Sequence, residues 1–101
     1  MHALTIRVAT PSDEYDLQRL AGLEGRSRPT GRTLLAEREG VAIAAVALSS
    51  GAVVADRSDP AGAAGVRQLR RRRYQLLRQA GDVGPVASLL RRLVPPNPAA
   101  A

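Results

Sequence analysis

Six arginines stand within twelve residues of the chain, at positions 67, 70, 71, 72, 73 and 78, and no acid lies between Pro60 and Gly81. A guanidinium presents five N–H donors in a planar fork that fits a phosphate or carboxylate two bonds at a time. Anion contact is therefore the first chemistry the sequence suggests. On a 3.6-residue helix Arg67, Arg71 and Arg78 cluster on one side with Arg70 and Tyr74 beside them; with Arg72 added, Arg67, Arg70, Arg71, Arg72 and Arg78 are the candidate anion or nucleic-acid contacts. If all five met duplex phosphates, log affinity would fall with log salt at a slope of about −4.5. Nucleic acid is not the favoured partner, because no helix-turn-helix spacing is visible and stacking aromatics make up only 2% of the chain. A solvated basic face is the commoner origin of such a run. Every basic side chain is Arg and none is Lys, which a GC-rich coding bias explains more cheaply than selection for bidentate contacts.

Other reactive side chains are few. The chain has no cysteine, so disulfides, thiolate zinc sites and thiol catalysis are excluded, and its one histidine, His2, sits at a terminus expected to fray. No metal site is expected. Three more arginines lie in the loop from Gly25 to Arg32, where a solvated connector outranks an anion clamp. No apolar run approaches the ~18 residues of a membrane span, and the N-terminal residues lack a signal-peptide pattern, which leaves a soluble, cytoplasmic protein as the default expectation with no membrane partner. Charge is unevenly divided: residues 1–59 hold seven Arg and eight acids, residues 60–101 eight Arg and Asp82 alone, so the net +6 comes from the second part.

The elements that would position these groups are organised around Thr33 to Asp56, which reads as a three-stranded antiparallel meander. Gly40 divides the first strand from the second, and Ser49 to Gly51 divide the second from Ala52–Ala55. The middle run, Val41 to Leu48, is apolar throughout. Strict alternation puts Val41, Ile43, Ala45 and Ala47 on one face and Ala42, Ala44, Val46 and Leu48 on the other, so neither face can be left to water. Helices must cover both. Leu4, Ile6 and Val8 alternate as a first strand. Thr10-Pro11-Ser12-Asp13 then starts a helix, with Thr10 as N-cap, Pro11 at the first position and Asp13 at the third; Leu17, Leu20 and Ala21 form its apolar face, Glu14, Asp16, Gln18 and Arg19 face water, and it should stop near Gly25.

Asp59-Pro60 repeats the device. After a small-residue turn, Ala61 to Gly65, the helix body from Val66 to Gln79 should end at Gly81, with Val66, Leu69, Leu76, Leu77 and Ala80 toward the sheet. Arg73 falls within that face and should run its stem to a carboxylate or to solvent. The expected fold class is α+β with a three-layer α/β/α tendency, in the order β-α-β-β-β-α, with a four-stranded, mainly antiparallel sheet. Residues 1–81 would form the domain, and residues 82–101 a short amphipathic helix at about 85–94 and a Pro/Ala-rich tail disordered by composition. One small domain of 101 residues without Phe or Trp builds a thin core, to which a partner subunit would add.

Two stretches resemble the GNAT acetyltransferase superfamily. Thr5 to Asp13 is similar to that family's Ile-Arg-x-Ala-x-x-x-Asp run, and Leu35 to Ala45 to its second and third strands joined at a Gly. The likeness covers roughly Leu4 to Arg78, the family's N-terminal half. It implies an acetyl-CoA pyrophosphate held by amides at the start of the second helix, which here would be the work of Gly62, Ala64 and the adjacent Gly65. The chain departs from the pattern at Asp59, a negative charge where phosphate would lie, and at Pro60, which deletes a donor; helix capping accounts for both. The family's fifth strand and the acid that follows it have no counterpart after Gly81, so a base at Glu37 or Glu39 would have nothing to act upon, and no catalytic residue is assigned.

The expectation is a truncated, non-catalytic acetyltransferase-like domain retained for interaction, as a homodimer or with another protein, through the Ala52–Ala55 strand edge and its unpaired main-chain groups. No cofactor is expected. Two alternatives stand beside it: an acyl-CoA-dependent N-acetyltransferase whose cleft a second subunit completes, and a nucleic-acid-binding module using the Arg-rich helix.

Overall fold

The computed structural model describes residues 3–83, with the backbone alone for 80–83. His2, the expected helix at about 85–94 and the Pro/Ala-rich tail lie outside the described residues. The elements are β1 (Leu4–Val8), a 3₁₀ turn (Pro11–Asp13), α1 (Glu14–Leu23), β2 (Thr33–Arg38), β3 (Val41–Ala47), β4 (Val53–Ala55) and α2 (Gly62–Val83). All three strand pairings are antiparallel, in the order β1-β2-β3-β4. With α1 on one face and α2 on the other, the α/β/α expectation holds.

The two cores divide the central strands between them. Leu17, Leu20 and Ala21 of α1 pack with Leu35, Ala42, Ala45 and Val54; Val66 and Leu69 of α2 pack with Leu34, Ala36, Ile43, Ala44, Val46, Leu48, Val53 and Ala55. Strict alternation along β3 therefore fails. Ala36 pairs with Ala44 but Glu37 with Ala42, leaving Ile43 as a bulged extra residue, so Ile43 and Ala44 both serve the α2 core. The hairpin at Gly40 is as expected: Glu39 and Gly40 have φ of 53° and 81°, and Arg38 pairs with Val41. Positive φ at both central positions is the two-residue loop whose twist suits a hairpin.

Other boundaries move. β4 begins at Val53, not Ala52. The small residues 62–65 belong to α2 instead of a turn before it, and α2 continues through Gly81 to Val83. A glycine costs a helix interior about 1 kcal/mol, which weakens propagation without ending it. Among the described residues no helix is long and apolar enough to cross a membrane.

Candidate interaction site

Arg73, on the sheet side of α2, finds carbonyls instead of a carboxylate: its Nε donates to Leu48 O at 2.8 Å and its Nη2 to Ser49 O at 3.3 Å. It thus ties the β3–β4 turn to the helix. Of the five arginines expected to act as a group, the structure brings together three. Arg67, Arg71 and Arg72 line a groove of about 370 Å³ between α2 and Ile6 of β1, with Gln68 and Gln75 completing the wall. Arg78 stands apart, its Nη1 donating to Tyr74 Oη at 3.1 Å with the guanidinium carbon 5.8 Å from that ring's centre. Arg70 is exposed and does not line the groove. The sequence carried the signal for Gln68 and Gln75, which with Ala64 and Arg71 make an i, i+4, i+7, i+11 row, but nothing in it said that this row lies near Ile6 of β1.

The chain closes its own turns just before α2. Asp59 Oδ1 accepts from Ala61 N at 2.8 Å, Asp59 O accepts from Gly62 N at 2.9 Å, and Ala61 O accepts from Gly65 N at 2.9 Å. Asp59 also takes Arg38 Nη2 at 2.6 Å, and that ion pair, followed by the Ala61 amide, holds its carboxyl below the usual aspartate range. Gly62 and Gly65 are there for space. A Cβ on Gly62 would lie 2.3 Å from Asp56 O, and one on Gly65 would touch Ala36, Ala44 and Ile43 at 3.4 Å. The carboxylate sits at the helix end, where a pyrophosphate would have to compete with it.

The acids on the α1 side are similarly engaged. Arg7 grips Asp13 with both terminal nitrogens, at 2.8 and 2.7 Å, and Glu37 with Nε at 2.8 Å. Asp13 is buried and also accepts from Thr10 N at 2.7 Å. Arg7 first, then the Thr10 amide, holds the Asp13 carboxyl well below the usual carboxylate range. Thr10 is the N-cap of this turn, as expected, with Pro11 at the first position and Asp13 reaching back to the Thr10 amide; its hydroxyl also bonds Ser12 and the Asp13 carboxylate. Arg19 is not simply solvated: it donates to Ala42 O at 2.7 Å.

The β4 edge is partly covered. Ala47 N donates to Ala52 O and Asp56 N to Ile43 O, so even-numbered residues face β3 and the main-chain groups of Val53 and Ala55 point outward. Glu24 accepts from Ala55 N at 3.2 Å, and Arg26 Nη1 donates to Val53 O at 3.2 Å. Arg57 holds Glu24 in place through Nε at 2.7 Å. The Gly25–Arg32 loop thus uses two of its three arginines structurally, Arg26 on β4 and Arg28 on Pro29 O and Glu14.

These features define a three-layer α+β domain whose antiparallel sheet ends, among the described residues, in β1 and β4, with a cationic groove beside Ile6 of β1. No family model, curated protein or solved structure matches the chain. Among the described residues no group of three His, Cys, Asp or Glu side chains could hold a metal ion.

Proposed function

We propose that the chain is a small non-catalytic interaction domain on an acetyltransferase-like framework, recruiting a partner through the ends of its sheet. The observation that carries this reading is that α1 and α2 take both sheet faces while β1 and β4 end the sheet. What the sheet has left for recognition is main-chain donors and acceptors at those edges. The engagement of the Asp59 carboxylate with the Ala61 amide just before α2, and with Arg38, supports the non-catalytic part, because a coenzyme approaching that end would meet a paired carboxylate.

Self-association through Ala52–Ala55 requires Glu24 and Arg26 to release β4. Sedimentation velocity on the wild type and on the Glu24→Ala/Arg26→Ala double variant tests it. The variant is expected to dimerise at lower concentration than the wild type; two strict monomers at the highest attainable concentration would remove the β4 dimer. Acetyl-CoA at millimolar concentration is expected to leave the melting temperature unchanged. A rise would overturn the non-catalytic reading, since a ligand selective for the native state must stabilise it.

A further inference from the structure

The two ends of the sheet are unequal. β4 has three residues and two of its outward main-chain groups are bonded to side chains. β1 has five. Ala9 N donates to Thr33 O, and Arg7 and Thr5 stand opposite Leu35 and Glu37, so odd-numbered residues bond β2 and the main-chain groups of Leu4, Ile6 and Val8 point outward. Of these, Val8 O accepts from Arg7 Nη1 at 3.2 Å.

Beside this edge runs the groove lined by Ile6, Arg67, Gln68, Arg71, Arg72 and Gln75. From Ala64 to Gln75 the row on α2 spans about 16 Å at 1.5 Å per residue, and from Leu4 to Val8 the strand spans about 14 Å. Edge and row are therefore similar in length. Arg67 and Arg71 are one turn apart, about 6 Å, close to the ~6.8 Å between alternate side chains of a strand. Among the described residues, Arg67, Arg71 and Arg72 form no ion pair, and α2 carries no acid from Gly62 to Gln79.

We infer that β1 and the arginine row of α2 form a docking groove for an extended acidic segment of a partner protein, which joins the sheet as a strand beside β1 and lays alternate carboxylates against Arg67 and Arg71. This rests on the reading of the chain as an interaction domain and names its partner's chemistry. Charge decides among occupants. Residues 84–101 contain no acid and two arginines, and a second copy of β1 brings Arg7 and no acid, so neither supplies what the groove lacks. Main-chain pairing would give affinity, and the alternate carboxylates register and specificity. A nucleic-acid strand could satisfy the guanidinium groups but not the ladder of β1.

The test uses the full chain and fluorescence polarisation with a labelled ten-residue peptide alternating Glu and Val. Controls are the same composition with the glutamates in one block, and two N-methylated forms of the alternating peptide, each methylated on one of the two sets of alternate amides. The alternating peptide should bind roughly tenfold more tightly than the blocked one, and Arg67→Glu/Arg71→Glu should weaken it roughly tenfold while leaving the circular dichroism melt unchanged. N-methylation of the set facing β1 should cost roughly tenfold, and of the other set nothing. Equal loss from both sets, or from neither, overturns strand addition; tighter binding of a single-stranded oligonucleotide than of the peptide reassigns the groove and overturns the proposal. No binding by any probe also overturns it, yet leaves the interaction-domain reading to the sedimentation and acetyl-CoA experiments, which do not involve this groove.

Discussion

The chain approaches its two helices through similar segments, Thr10-Pro11-Ser12-Asp13 before α1 and Asp59-Pro60-Ala61-Gly62 at the start of α2, and holds the two junctions by different means. At the first, a buried aspartate is locked by a two-pronged arginine from β1 and by a main-chain amide. At the second, the aspartate has one arginine contact in a more open setting, and the tight constraint is steric: Gly62 lies against the carbonyl of Asp56 with no room for a side chain. The contrast teaches that a polar residue followed by proline reports a helix start but not what secures it. The first junction should fail by loss of charge, the second by added volume.

The largest effect is expected from Gly62→Ala. Its new methyl group would meet main-chain oxygen, which cannot swing aside, so the 56–62 turns must shift at a cost of about 3 kcal/mol. Chemical denaturation of wild type and variant measures this, and a loss below that of Asp13→Ala would break the contrast. Asp13→Ala comes next. Removing one partner of a fully buried pair costs ~3–5 kcal/mol, but Arg7 is 37% exposed and keeps Glu37, so solvent screening brings our expectation to roughly 2 kcal/mol. The same denaturation series checks it.

Of these two junctions, the sequence made the starts legible and the fastenings only partly so. Thr10-Pro11 marks the first helix start because a polar side chain and a fixed φ are local properties. Asp59-Pro60 reads the same way in sequence, but it lies three and two residues before Gly62, where α2 begins, and Asp59 closes a turn onto Ala61 N instead of capping the helix. Arg7 meeting Asp13 and Glu37 depends on β1 lying next to β2, a pairing between residues 30 apart. The bulge at Ile43 was hidden for another reason: in a run of Ala, Val and Ile every position suits either face, so hydrophobic pattern cannot fix the register. The groove is the hardest case. The arginines were visible, but which of them share a cavity depends on where β1 lies relative to α2, so Arg67, Arg71 and Arg72 could not be separated from Arg70 and Arg78.

Acid sharpens the comparison further. The Asp13 carboxyl titrates below its unfolded value, so its contribution is present above about pH 4 and is lost as pH falls toward and through the lower folded value. The wild type should therefore lose stability between about pH 4 and pH 2 more steeply than Asp13→Asn, which has no proton to take up at that site. Urea midpoints taken across that range test the sign. A variant as acid-sensitive as the wild type would mean that other carboxylates carry the effect, among them Glu24, which Arg57 also holds low.

The smallest change is expected from Asp59→Ala. Its carboxyl is also held low by Arg38 and then by the Ala61 amide, so acid should act on it in the same direction as on Asp13. The surroundings differ. Asp59 keeps 14% of its side chain exposed against 7% for Asp13, and solvent can also reach the start of α2 beside Pro60, which is exposed. The backbone turns through Asp56 O and Asp59 O do not need the side chain at all. The melting temperature should fall by roughly a third or less of the fall for Asp13→Ala, in keeping with the small worth of exposed ion pairs. Equal falls would show that the second junction also depends on charge, and the distinction drawn from Gly62 would no longer hold.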